Sequence, residues 1–271
     1  MIPWTVLEGI QTPEGTLELR RRGERDFLMT VAGRVLMTSQ HHRSEDALSE
    51  LTCAALGRKN RPRVLLGGLG MGFSLRAALD HLPPGAQVVV AELNAKVVDW
   101  NRDALASLAR FPLGDARVKI VVADVARLIA EARPQAFDAI IFDLYEGPHG
   151  NRDRHPLYGS DALARTHAAL SEGGIFSVWS EESEPPFEER LKRQGFSVER
   201  HSSGNGGRVH LVYLARAERL PSLREPANSD GKPGRVSKPE APATHPAHRS
   251  LRSASRAPAP AGKAHLRRRG R

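Results

Sequence analysis

Two acids three residues apart, Asp143 and Glu146, follow directly on the apolar run Ala139-Ile140-Ile141-Phe142. Carboxylates at the mouth of a strand can take a proton from an ammonium and leave a free amine nucleophile, and a second one can hold an ammonium by charge. On a solvated loop the same pair would do no chemistry. A second group of residues lies upstream. Arg63-Val64-Leu65-Leu66 runs into Gly67-Gly68-Leu69-Gly70-Met71-Gly72, and Glu92 closes the next apolar run, Val88-Val89-Val90-Ala91. A strand, a glycine turn, a helix start and an acid about 20 residues later form the layout of a nucleotide-type ligand site. The glycines admit backbone N–H groups to the ligand, and the acid can hold a ribose diol. Asp124, at the end of Val121-Val122-Ala123, is placed to accept from an adenine amino group. Either acid also suits a turn or a helix cap.

Spacing narrows the ligand. A nicotinamide fingerprint needs Gly-x-Gly-x-x-Gly or Ala, but Gly68 and Gly70 lead to Phe73, and Gly70 and Gly72 lead to Leu75. A P-loop needs Gly-Lys-Ser or Gly-Lys-Thr, which does not follow. Gly68-x-Gly70-x-Gly72 is the form used by enzymes that bind S-adenosylmethionine or its relatives.

The elements that must position these residues alternate along the chain. Residues 1–43 read as β-hairpins: Thr16–Arg20 alternates with period two, Phe27–Val31 and Val35–Met37 are further strands, and turns fall at Pro13-Glu14-Gly15, Arg22-Gly23 and Ala32-Gly33. Ser44 is the expected N-cap of a helix that ends at Gly57. Strands are then expected at Val64–Leu66, Val88–Ala91, Val118–Val122, Ala139–Phe142 and Ile175–Trp179. Helices are expected at Phe73–His81, Ala95–Leu108 and Asp161–Leu170. Phe196–Arg200 and Val209–Ala215, flanking Ser203-Gly204-Asn205-Gly206-Gly207, read as an antiparallel hairpin at the sheet edge. The fold class is therefore α/β: a doubly wound, mostly parallel, seven-stranded, Rossmann-like sheet of methyltransferase type, with a small N-terminal β-hairpin domain. The expected division is 1–57, 58–217 and 218–271.

The net charge of +9 looks like a nucleic-acid signal, but it is not spread over the 271 residues. Residues 218–271 hold thirteen Lys or Arg against four Asp or Glu, so the preceding 217 residues are neutral. That segment, rich in Pro, Ala, Ser and Arg, cannot bury enough apolar surface to offset chain entropy, and disorder is expected. Its end, Leu266-Arg267-Arg268-Arg269-Gly270-Arg271, suits weak contact with nucleic acid or another polyanion. No apolar run reaches a membrane-spanning length, and Met1-Ile2-Pro3-Trp4 lacks the regions of a signal peptide. A single cysteine, Cys53, excludes an internal disulfide and suits a reducing cytoplasm. The spacing of His149, Asp153 and His155 suggests no helical metal face, and no metal is expected. His41 and His42 suit a surface or capping role. Trp100 and Trp179 fall in apolar patterns and suit the core.

Over roughly residues 5–215 the chain resembles the spermidine synthase family, the polyamine aminopropyltransferases. The family's Gly-Gly-Gly-Asp-Gly loop is matched by Gly68-Leu69-Gly70-Met71-Gly72, its ribose-binding acid by Glu92 and its adenine-side Asp by Asp124. Its Asp-x-x-Asp-Pro loop falls on Asp143-Leu144-Tyr145-Glu146, with Pro148 one place late, followed by a lid over Gly147–Pro156 and a Leu157-Tyr158 step. The resemblance implies decarboxylated S-adenosylmethionine as donor and an amine, usually putrescine, as acceptor, with no metal. It implies Glu146 as base or amine anchor, Asp143 as its partner, Tyr145 beside them, and pairing with a second copy. Three departures stand out. The loop Asp is Met71, the second catalytic Asp is Glu146, and the family's Asp-Glu-x-x-Tyr-x-Glu segment appears as Ser44 to Glu50, with Leu48 for its Tyr. Glu45 and Glu50 remain as candidate substrate-binding acids. Intact S-adenosylmethionine, with methyl transfer, is the competing expectation. A non-catalytic binder of the adenosyl ligand is a third.

Overall fold

The structure is a computed structural model that describes residues 2–149, 153–203 and 210–219. It contains two sheets. The first is a meander of four antiparallel strands, β1 (Thr5–Thr12), β2 (Gly15–Arg22), β3 (Asp26–Val31) and β4 (Arg34–Thr38). Its inward residues, Leu17, Leu19, Phe27, Met29 and Val31, are buried, as the alternation along β2 requires. β1 carries no such alternation and is exposed over most of its length, which is why only its turn was legible in the sequence.

Helix α1 (Arg43–Leu56) leads to the second sheet. There β5 (Arg63–Gly67), β6 (Gln87–Glu92), β7 (Val118–Val122), β8 (Phe137–Phe142) and β9 (Leu170–Ser180) are parallel. β11 (His210–Ala217) and β10 (Phe196–Ser203) close one edge antiparallel. The order is β10-β11-β9-β8-β5-β6-β7, the expected doubly wound, seven-stranded arrangement. Crossovers are made by α2 (Phe73–His81), α3 (Ala95–Arg102), α4 (Val125–Glu131), α5 (Ser160–Ala169) and α6 (Pro185–Arg193). Successive residues of the central strands feed opposite faces. Val64 and Leu66 join one buried cluster with α1, α2 and α3, while Leu65, Ile140 and Phe142 join the other with α4, α5 and α6. Strands buried on both faces read as continuous apolar runs, which made them legible.

Three local expectations are corrected. α1 begins at Arg43 with His42 at its N-cap, and Ser44 lies inside the first turn, donating to the Glu45 carboxylate. The His42 ring reaches Asp46 at 2.7 Å and stacks on Phe73 at 4.0 Å, so the ring closes that turn in place of a serine cap. α3 stops at Arg102 rather than Leu108. Beyond it the chain coils tightly, with Arg110 and Phe111 at positive φ, and brings Leu105 and Ala109 into the core without a continuing helix. β9 starts five residues early, at Leu170, and α5 ends at Ala169. The glycine-rich turn of the edge hairpin and the basic tail lie outside the described residues.

Strand order reverses between β5 and β8, since β6 and β7 lie on one side and β9 on the other. In such sheets the ligand crevice opens at the carboxyl ends of the two strands flanking the reversal. The glycine loop follows β5, and Asp143 follows β8.

Candidate active site

The glycine loop is a tight left-handed construction. Gly68, Gly70 and Gly72 have φ of +89°, +53° and +85°, conformations that side-chain-bearing residues rarely adopt. Each is also closely approached. A Cβ on Gly68 would strike the Asp143 carbonyl oxygen, one on Gly70 would lie 2.9 Å from the Met37 sulfur, and one on Gly72 would lie 2.9 Å from Asn101 Oδ1. Three elements therefore converge on the loop: β8 from below, β4 of the N-terminal sheet, and α3. Asn101 on α3 donates to the Gly70 carbonyl at 2.8 Å and to Val97 at 2.9 Å. The same helix holds the N-terminal sheet, since Trp100 Nε1 donates to Glu8 at 2.8 Å and Lys96 pairs with it at 2.9 Å.

Glu92 is 8% exposed. Its two oxygens accept from the backbone N–H groups of Leu69, at 2.9 Å, and Asn94, at 2.8 Å, so this acid ties the glycine loop to the end of β6. Burial pushes its carboxyl pKa upward against those hydrogen bonds. Asp124 is exposed and caps α4, accepting from Ala126 N at 2.8 Å. Leu93 and Val122 stand exposed beside these two acids, at 72% and 53%. An apolar rim flanked by two carboxylates suits a purine and its ribose.

The densest chemistry lies where α1, α2 and the end of β8 meet. Asp143 N donates to the Gly67 carbonyl at 3.0 Å, which fixes its backbone against the loop. Its Oδ2 accepts from the Ser74 hydroxyl at 2.6 Å. Glu45, in the first turn of α1, lies close enough for its charge to act on Asp143, and its carbonyl accepts from the same Ser74 hydroxyl at 3.3 Å. Burial, and then the Glu45 charge, raise the Asp143 pKa to about 7, with the Ser74 hydrogen bond opposing them. Ser49 donates to the Ser74 carbonyl at 2.8 Å, pinning α2 to α1.

Glu146 is more open, with its side chain 52% exposed and its Oε2 3.6 Å from His155 Nε2. Tyr158 is buried and donates to the Glu146 carbonyl at 2.7 Å; burial raises its own pKa. His155 Nδ1 accepts from the N–H groups of Leu157 and Tyr158, at 3.1 and 3.3 Å, which leaves the ring proton on Nε2, toward Glu146. Tyr145 is 49% exposed, with Arg34 of β4 5.7 Å from its ring centre.

Of the residues singled out in the sequence, Gly68, Gly70, Gly72, Glu92, Asp143 and Glu45 are brought into one cluster at the carboxyl ends of β5, β6 and β8. Asp124 borders it across the ends of β6 and β7. Glu50 is exposed on α1, about 140° around the helix from Glu45, and does not share its face. Met71 and Leu48 are fully buried in the core, so neither side chain lines the crevice. Sequence reasoning missed Ser74, Ser49, Asn101, Met37 and the His155 contact. A serine two residues past a glycine loop carries no motif, and the others come from elements distant in sequence. Among the described residues no three His, Cys, Asp or Glu side chains converge as metal ligands.

A doubly wound sheet with this strand order and a glycine loop at its switch point defines the class of Rossmann-like α/β folds. No family model matches the chain. It is 32% identical over 124 residues to putrescine N-methyltransferase 2 of Nicotiana tabacum, covering 45% of this chain and 33% of that protein. It is 34% identical over 111 residues to polyamine aminopropyltransferase 2 of Caldanaerobacter subterraneus subsp. tengcongensis, covering 41% and 35%. The matches thus span about a third of the length of these curated relatives. The crystal structure of spermidine synthase from Thermotoga maritima superposes with a TM-score of 0.64 at 19% identity, over 78% of this chain and 72% of that one, and shows the shared fold. The chain thus shares its fold with spermidine synthase and, over part of its length, is similar in sequence to polyamine aminopropyltransferases and putrescine N-methyltransferases.

Proposed function

We propose that this chain is a transferase that moves an aminopropyl group from decarboxylated S-adenosylmethionine to an amine such as putrescine. The observation that carries the reading is the Ser74 hydroxyl linking Asp143 Oδ2, at 2.6 Å, to the Glu45 carbonyl, at 3.3 Å, beside the glycine loop; desolvation and the Glu45 charge push the Asp143 pKa up toward the range of a general base. An amine acceptor arrives as an ammonium and cannot attack until it loses a proton. Asp143 takes that proton, and Glu45 and Glu146 hold the cationic end of the acceptor by charge. This exchanges the roles that the family resemblance implied for Asp143 and Glu146, because Glu146 lies open to water while Asp143 is held in the fold. The sulfonium donor supplies a carbon already activated for displacement, so the protein's part is positioning and deprotonation. Gly68, Gly70 and Gly72 admit its adenosyl part, Glu92 its ribose, and Asp124 its adenine. The relatives named polyamine aminopropyltransferase support this reading.

A second reading, methyl transfer from intact S-adenosylmethionine, draws on two observations. The chain is also similar to putrescine N-methyltransferases. Met71, at the position of the family's loop Asp, is buried and presents no carboxylate to the donor. Calorimetric titration of the full chain with both donors separates the two. Tighter binding of the decarboxylated form, with methylthioadenosine released on adding putrescine, is the expected result; tighter binding of the intact form overturns it in favour of methyl transfer. In this reading residues 58–217 are the catalytic domain and the protein works in the cytoplasm. Pairing with a second copy and a weak polyanion contact by residues 218–271 belong to the same proposal. No helix among the described residues is long and apolar enough to cross a membrane.

A further inference from the structure

Ser74 is 1% exposed, and its hydroxyl sits between two acceptors, Asp143 Oδ2 at 2.6 Å and the Glu45 carbonyl oxygen at 3.3 Å. Its own backbone is fixed from α1 by the Ser49 hydroxyl. A hydroxyl has one hydrogen to give and two lone pairs to receive with. We propose that Ser74 is a positioning residue for Asp143: its hydroxyl holds Oδ2 so that Oδ1 receives the acceptor's proton, and it serves the carboxyl in both protonation states. The inference rests on the reading of Asp143 as the proton acceptor.

With Asp143 ionised, the Ser74 hydrogen points at Oδ2 in a charge-assisted bond. When the ammonium N–H bond breaks, its electron pair stays on nitrogen and the proton forms a new O–H bond at Oδ1. Oδ2 then becomes a weaker, carbonyl-type acceptor, and the Ser74 hydrogen has the Glu45 carbonyl as its alternative. The titratable groups that face Asp143 are Glu45 on α1 and, at longer range, Tyr158 before α5. The Glu45 charge disfavours the ionised carboxylate, Tyr158 is neutral where Asp143 titrates, and Ser74 is the group that favours the ionised form.

The test follows Asp143 directly and needs no substrate. In the full chain carrying ¹³C-labelled aspartate carboxyls, one resonance should titrate near pH 7 and vanish in Asp143→Asn. In Ser74→Ala its midpoint should rise by about one pH unit or more, the size expected on removing a charge-assisted hydrogen bond. Ser74→Cys, of similar size but a weak donor, should shift it the same way and covers the case in which the alanine variant does not fold. Ser74→Thr, which keeps the hydroxyl, should restore the midpoint. Ser49→Ala removes an equally buried hydroxyl from the same junction and should leave the midpoint in place. An unmoved midpoint in the Ser74 variants, or an equal shift in Ser49→Ala, overturns the positioning role while leaving the Asp143 reading intact. A protein with no aspartate titrating near neutrality overturns both.

Discussion

At the scale of single residues, the site turns on carboxylates whose surroundings differ. Asp143 is half-buried near Glu45, and desolvation and the Glu45 charge raise its pKa to about 7. A carboxyl whose pKa is higher in the fold than in the open chain stabilises the fold fully below its open-chain pKa, and that contribution is lost as pH rises through 7. Asp143→Asn, neutral at every pH, should therefore melt a few degrees above the wild type at pH 8, and the gap should close below about pH 4. Equal melting temperatures at both pH values would contradict the burial argument. Met71 makes the opposite case. Its side chain is fully buried in the core, so Met71→Asp should not install a donor-binding acid. It should instead cost several kcal/mol in urea unfolding, because the new carboxylate has no partner there. A stable Met71→Asp protein that has gained affinity for the decarboxylated donor would show that the loop turns outward. Asp143 and Glu92 were legible because acids that end apolar strands stand out in sequence. The direction of Met71 was not, since a loop position does not reveal which way its side chain points.

At the scale of elements, the glycine loop is held by its neighbours as much as by its own conformation. Gly68→Ala meets both a φ of +89° and the carbonyl of Asp143, just past β8. It should lose at least about 2 kcal/mol of stability and all donor binding. Gly23, with a φ of +63° in open space, is the comparison, and Gly23→Ala should cost only about 1 kcal/mol. Similar losses in the two variants would mean that contact with β8 does not matter. The N-terminal sheet reaches the loop through Met37 and is latched to α3 by Glu8. Glu8→Ala should speed amide hydrogen exchange in β1 while leaving β5 and β8 protected; unchanged exchange in β1 would remove the latch. The central strands were legible as continuous apolar runs, and α2 was legible between its glycines and Leu82. The end of α3 was not, because Leu105 and Ala109 keep a helical apolar spacing while the backbone carrying them leaves the helix.

At the scale of the whole molecule, charge and fold are carried by different parts of the chain. The basic excess lies entirely in residues 218–271, and the preceding residues are neutral. Removing residues 220–271 should leave donor affinity and melting temperature unchanged while flattening the salt dependence of any polyanion binding. A fall in donor affinity would assign the tail a part in the site. The amino-acid sequence by itself determined the class of fold, the glycine loop after β5 and the acids at or just past the ends of β6, β7 and β8, because local propensity, apolar runs and glycine spacing are properties of short segments. Only the tertiary structure decided which of those acids lie near one another. It set Glu45 against Asp143 and left Glu50 on another face, turned Met71 and Leu48 into the core, and placed Ser74 between α1 and β8. Each of these depends on the packing of segments far apart in sequence, and burial, which sets the basicity of Asp143, exists only once they have packed.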